Sequence, residues 1–151
     1  MLSLPVWRAH EYALSIMYYL RERSEEKLIV ETRRPDHEIM KALSVGNPLD
    51  FYRTEIAERK RYGYPPFSVF IGLTTTGTKA VVDKFCSMIK ETFKNYDVVG
   101  PLPPILESKN DWSAKAVLRL PKESWPDETL RELLSTLAPE VKIEIDPDEI
   151  V

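Results

Sequence analysis

The spacing of apolar and polar positions divides this chain at a proline-rich segment. Before it, Ala13, Ile16, Met17 and Leu20 recur at helical spacing. They predict a helix that starts around Ser3 and Pro5 and runs to about Arg23. Leu28 to Glu31 is a short apolar run and reads as a strand. Pro35 opens a short helix through Leu43, ended near Gly46, and Pro48 opens another to about Arg61. Tyr62-Gly63-Tyr64-Pro65-Pro66 cannot continue that helix, because each proline biases its predecessor to an extended backbone. This segment reads as a hinge between residues 1–62 and 63–151.

Beyond the hinge, Val69, Ile71 and Leu73 alternate with Ser68, Phe70 and Gly72, so Phe67 to Thr75 reads as a strand. Thr78 is placed to cap a helix with an apolar face of Val81, Val82, Phe85, Met88, Ile89 and Phe93. Tyr96 to Val99 is a short strand closed by Gly100-Pro101, and Pro103-Pro104 marks a rigid connection. Ala114 to Leu120 alternates again. Pro126 and Asp127 start a helix that buries Leu130, Leu133, Leu134 and Leu137. Val141, Ile143 and Ile145 form a last strand, with Lys142 and Glu144 pointing out. The order is βαββαβ. Two helices on one face of a four-stranded antiparallel sheet is the ferredoxin-like way to bury these faces. The predicted fold class is α+β, with a mostly helical segment ahead of that domain.

Composition agrees with a packed protein: 43% of the 151 residues are hydrophobic and 30% charged. One cysteine, Cys86, excludes an internal disulfide and a cysteine-based structural zinc site. His10 and His37 lack metal-ligand spacing, so no metal and no cofactor are expected. No segment has the apolar length of a membrane span. The N-terminus lacks a basic leader region, and Arg8 and Glu11 interrupt its apolar stretch. These features predict a cytoplasmic protein. The net charge of −3 is opposite to that of a dedicated nucleic-acid binder. It is unevenly spread. Residues 1–62 hold 11 Lys and Arg against 10 Asp and Glu, while residues 63–151 hold 10 against 14. Any nucleic-acid contact must come from a local patch.

The string from Asp50 to Phe67, with Phe51-Tyr52-Arg53-Thr54-Glu55-Ile56-Ala57-Glu58-Arg59 running into Tyr64-Pro65-Pro66-Phe67, resembles the primosomal protein N′ family, the replication-restart DNA helicases. There, a helix of the form F-Y-x-x-E-L-x-x-R leads into Y-P-P-F. Val99-Gly100-Pro101-Leu102-Pro103-Pro104 resembles that family's V-L-G-P-x-P-A, and Glu144-Ile145-Asp146-Pro147 its terminal D-V-D-P. Thr32-Arg33-Arg34-Pro35-Asp36-His37 and Trp7-Arg8-Ala9 resemble its Q-T-x-x-P-x-H and F-R-A. The resemblance covers nearly the whole chain. It implies the C-terminal portion of such a helicase: residues 1–62 as the end of the second motor lobe, then the family's C-terminal domain. That domain is implied to help bind forked or single-stranded DNA, single-strand-binding protein and other primosome proteins.

The departures exclude catalysis by this chain alone. No G-x-x-x-x-G-K-[ST] cradles a triphosphate, and the family's zinc cysteines are absent. Leu20-Arg21-Glu22-Arg23-Ser24 stands where the family has G-R-A-G-R, with both glycines gone and the arginine spacing changed. An arginine finger tolerates little misplacement, so Arg21 and Arg23 read as a solvated helix end. No catalytic residue is assigned, and a helicase motor in trans is a possible partner.

The candidate DNA-binding residues fall in two groups. Arg59, Lys60 and Arg61 adjoin Tyr62 and Tyr64, where cations meet phosphates and a ring can stack on a base. The alternative is a helix C-terminus, where positive charge suits the dipole. Lys109, Trp112, Lys115 and Arg119 combine cations with an indole. Lys115, Arg119 and Ser113 share strand parity, which suits either a single-strand groove or a guarded sheet edge. Lys122 and Trp125 are candidates for binding the acidic tail of single-strand-binding protein. The alternative for Trp125 is a hydrophobic staple on the next helix. Two functions therefore stand: a non-catalytic DNA-binding module of a replication-restart helicase, or a protein-interaction module of the primosome that does not touch DNA.

Overall fold

The computed structural model describes residues 7–148, so Ser3, Pro5 and Glu149 lie outside the described residues. The chain divides into two compact units, Met1–Tyr62 and Gly63–Val151.

The first unit holds helices α1 (Ala9–Arg23), α2 (Glu38–Val45) and α3 (Leu49–Tyr62). Its core is small: Ala13 and Leu14 of α1 meet Ile39 and Ala42 of α2 and Phe51 of α3. Tyr18 donates its hydroxyl to Ala42 O at 2.9 Å, tying α1 to α2. The α2 start lies three residues past Pro35, because His37 is the cap: its Nδ1 accepts from Ile39 N at 3.3 Å. Gly46, at φ 77°, closes α2 in the left-handed conformation. Arg21 is exposed at the helix end, and it also has a partner in α2. Its guanidinium donates to Leu43 O at 2.8 Å, where the last carbonyls of α2 need partners. The Arg23 guanidinium sits 3.8 Å from the Tyr19 ring centroid.

The expected strand at Leu28–Glu31 does not form. The first unit has no strand among its described residues to pair with this run, and Ile29 is 81% exposed. Apolar content favours a strand only where a neighbour can satisfy its backbone groups.

In the second unit the order is β1 (Ser68–Gly77), α4 (Lys79–Thr92), β2 (Asp97–Val99), β3 (Ile105–Ser108), β4 (Asp111–Pro121), α5 (Glu128–Ser135) and β5 (Lys142–Ile145). The sheet runs β2-β4-β1-β5, all antiparallel. With β3 set aside, this is the split βαβ order of a ferredoxin-like sheet. The addition is β3. It forms a hairpin with the start of β4 on the same edge that β2 uses further along. Asn110 takes the positive φ of 66° that this tight turn needs.

One sheet face is packed. Val69, Ile71 and Leu73 of β1 and Ala114, Ala116, Leu118 and Leu120 of β4 meet Val82, Phe85, Ile89 and Phe93 from α4 and its end, with Leu130 from α5. Each large side chain buried there stabilises the fold by about 1.5–3 kcal/mol. Val81 was expected in this face but is exposed, one position off the stripe that carries Val82, Phe85 and Ile89. Asp127 caps α5, its Oδ1 accepting from Leu130 N at 3.0 Å. Thr78 holds the cap position of α4 without a side-chain cap bond.

Candidate nucleic-acid interface

The three consecutive cations at the end of α3 have different fates. Arg59 turns inward. Its Nε donates to Glu55 at 3.0 Å and its Nη2 to Glu11 at 2.9 Å, and its guanidinium lies 4.8 Å from the Trp7 ring centroid. With its side chain only 12% exposed, Arg59 joins α3 to α1 and its charge is already paired. Lys60 and Arg61 face solvent. Arg61 lies 5.5 Å from the ring of Tyr62, which is 54% exposed. The helical period causes this split: positions 55 and 59 share a face, and 60 and 61 rotate away from it.

In the second unit, strand alternation sorts the other group. Trp112 has the parity of Ala114 and Ala116, so it packs against the core on the helix side, with Lys79 Nζ 5.7 Å from its ring. Lys115 and Arg119 occupy the opposite, helix-free face. Trp112 is therefore not the indole of a groove shared with Lys115 and Arg119. Lys109 is exposed in the β3–β4 turn.

The helix-free face is ordered in cross-strand rows. Lys115 lies beside Thr74, and Thr74 beside Lys142. Arg119 lies between Phe70 and Asp97, and its Nε donates to Asp97 at 2.7 Å. Tyr64 packs edge-on against Phe70 with ring centroids 5.8 Å apart, which brings it to the Arg119 row. At the other end the face opens into a groove of about 530 Å³ lined by Thr74, Thr76, Ser113, Lys115, Lys142 and Glu144, among others. Acids temper its charge. Ser113 donates to Glu107 at 2.6 Å, and Lys142 pairs with Glu144 at 3.0 Å. Thr74, Thr76 and Lys142 are not among the site residues the sequence suggested. Their signal was parity alone, which becomes a location only once register is known.

Lys122 is exposed in a 3-10 turn that ends beside Trp125, itself 39% exposed. Elsewhere in the first unit, the His10 and His37 rings meet edge-on at 5.1 Å. Among the described residues no group of three or more His, Cys, Asp or Glu is arranged to hold a metal ion. No helix of the described residues is long and apolar enough to cross a membrane.

A family model described as the primosomal protein N C-terminal domain matches residues 60–148, more than half of the chain. This chain belongs to that family. No curated protein matches it. The primosomal domain takes in Lys60, Arg61 and Tyr62, the exposed end of α3, and leaves out Arg59. It extends through the whole sheet to Asp146 and Pro147. Both groups of candidate residues, Arg59 apart, thus fall inside the primosomal domain, as do Lys122 and Trp125.

Proposed function

We propose that this chain is a non-motor module of primosomal replication restart and that it binds forked or single-stranded DNA. The observation that carries this reading is the exposed Lys60-Arg61-Tyr62 end of α3, at the first residues of the primosomal domain. Two cations and a half-exposed ring there suit a phosphate backbone and a stacked base. Lys115, Arg119, Tyr64 and Lys109 form the second candidate contact. Arg59 belongs to the scaffold of the first.

Labelled single-stranded and forked DNA at low and moderate salt test this reading. Fork-preferring binding that weakens with salt, and that is lost on reversing Lys60 and Arg61 to Glu, supports it. No binding at low salt rejects it.

A second reading, a module that binds primosome proteins, is favoured by the mixed charge of the helix-free face. Asp97, Glu107 and Glu144 there already engage Arg119, Ser113 and Lys142, which suits a protein partner better than a polyanion. Lys122 and Trp125 are the candidates for the acidic tail of single-strand-binding protein. Lys122→Glu should weaken binding of a tail peptide, and an unchanged affinity removes that assignment.

A further inference from the structure

Strand β5 ends the sheet. One side pairs with β1, and among the described residues no strand pairs with the other. The closing hydrogen bonds show which backbone groups face outward. Asp146 N donates to Phe70 O at 2.7 Å, continuing the register in which Gly72 opposes Glu144 and Thr74 opposes Lys142. In an antiparallel ladder, alternate residues direct both backbone groups to the same side. Lys142 and Glu144 therefore bond to β1, and Ile143 and Ile145 aim their N–H and C=O away from the sheet. The two residues are 42% and 50% exposed.

We propose that a second copy of this chain adds to β5 in antiparallel fashion, about a two-fold axis at Ile143. The sequence Lys142-Ile143-Glu144 is complementary to itself in this one register. Lys142 then stands opposite Glu144 of the partner subunit, and Glu144 opposite Lys142 of the partner subunit, while the isoleucines meet at the axis. An axis at Glu144 instead sets two carboxylates face to face. In-register parallel pairing sets lysine against lysine. Charged residues on edge strands commonly block pairing; here the same charges block the alternatives and are satisfied in the chosen one. Lys142 and Glu144 already approach to 3.0 Å within the strand and are exposed, so exchange of partners needs only side-chain rotation. With strands of four residues, the dimer is weak and concentration-dependent.

Sedimentation velocity of the full chain over a wide concentration range, at low salt, tests this. The expected result is a reversible monomer–dimer equilibrium. Lys142→Glu turns both cross-strand pairs repulsive and should weaken the dimer about tenfold or more. The exchanged variant, Lys142→Glu with Glu144→Lys, should restore it. A chain that stays monomeric at its solubility limit overturns the proposal, as does a dimer indifferent to Lys142→Glu. Thermal melting checks the fold of each variant. If the exchanged variant melts early, Ile143→Asp replaces it as the test, and a dimer that survives that change overturns the proposal.

Discussion

Pro147 lies across Gly72 on the helix-free face of the sheet: a Cβ built on Gly72 would stand 2.9 Å from Pro147 Cγ. The glycine lets the chain cross back over β1 after β5 and bury Pro147. A methyl group there meets a rigid ring, which cannot swing away as a flexible side chain would. Gly72→Ala should therefore lower stability by about 1–3 kcal/mol, and Gly72→Val by more. Chemical denaturation of the whole chain measures this, and an Ala variant as stable as the parent would show that the crossing is loose.

Asp146 makes that crossing turn with a positive φ of 48°, and clamps Phe70 twice: its N–H donates to Phe70 O at 2.7 Å and its Oδ1 accepts from Phe70 N at 2.9 Å. Asp146→Ala loses the acceptor and keeps a side chain unsuited to positive φ, so it should cost about 1–3 kcal/mol. Asp146→Asn should retain most of the stability. Asp146→Gly, which relieves φ but lacks the acceptor, should fall between. Equal melting of the Ala and Gly variants would assign the whole effect to the hydrogen bond.

Arg59 and its two neighbours should separate stability from binding. Arg59→Ala leaves Glu11 and Glu55 without their shared cation and removes one of the two guanidiniums over Trp7, a loss of about 1–3 kcal/mol from the first unit. Replacing Lys60 and Arg61 by Ala should leave melting within about 0.5 kcal/mol of the parent, because both are exposed. If DNA binding is lost only in the second variant, the proposed interface gains direct support.

His37 gives the first unit a dependence on pH. Burial first, then the nearby His10 and Arg34, push its imidazole below the ordinary histidine range, against an opposing effect of Glu38. The neutral ring is also the one whose Nδ1 can cap α2. A lowered folded-state value means that protons bind more readily to the unfolded chain. The contribution is thus complete above about pH 6.5, the unfolded value, and is lost as pH falls from there through the folded value. His37→Asn keeps a capping side chain and cannot titrate in this range. The variant should melt like the parent at neutral pH and lose less stability on acidification. Parallel pH profiles would remove His37 from the account.

Local pattern made most elements legible. The stripe ending in Val82, Phe85 and Ile89 marks α4 whatever surrounds it, because helical period needs no partner. The alternation from Ala114 to Leu120 likewise marks β4, and the proline-rich stretch after Tyr62 bars any continuation of α3. Leu28 to Glu31 shows the limit. A strand is completed by a neighbour, and no pattern within four residues reports whether one exists. Hairpin strand β3 was missed for the converse reason: Ile105–Ser108 has little alternation of its own and is held by its pairing with β4.

The candidate interface divides in the same way. Sequence alone determined that Lys115 and Arg119 share a strand face, that the net charge confines any DNA contact to a patch, and that no phosphate loop is present. Tertiary structure decided what each charge touches. It turned Arg59 inward to Glu11, an acid 48 residues away, packed Trp112 against the core, and carried Tyr64 to the row of Arg119. Periodicity orients a side chain relative to its own element. Which partner stands there depends on the packing of distant elements, and the spacing along the chain does not encode it.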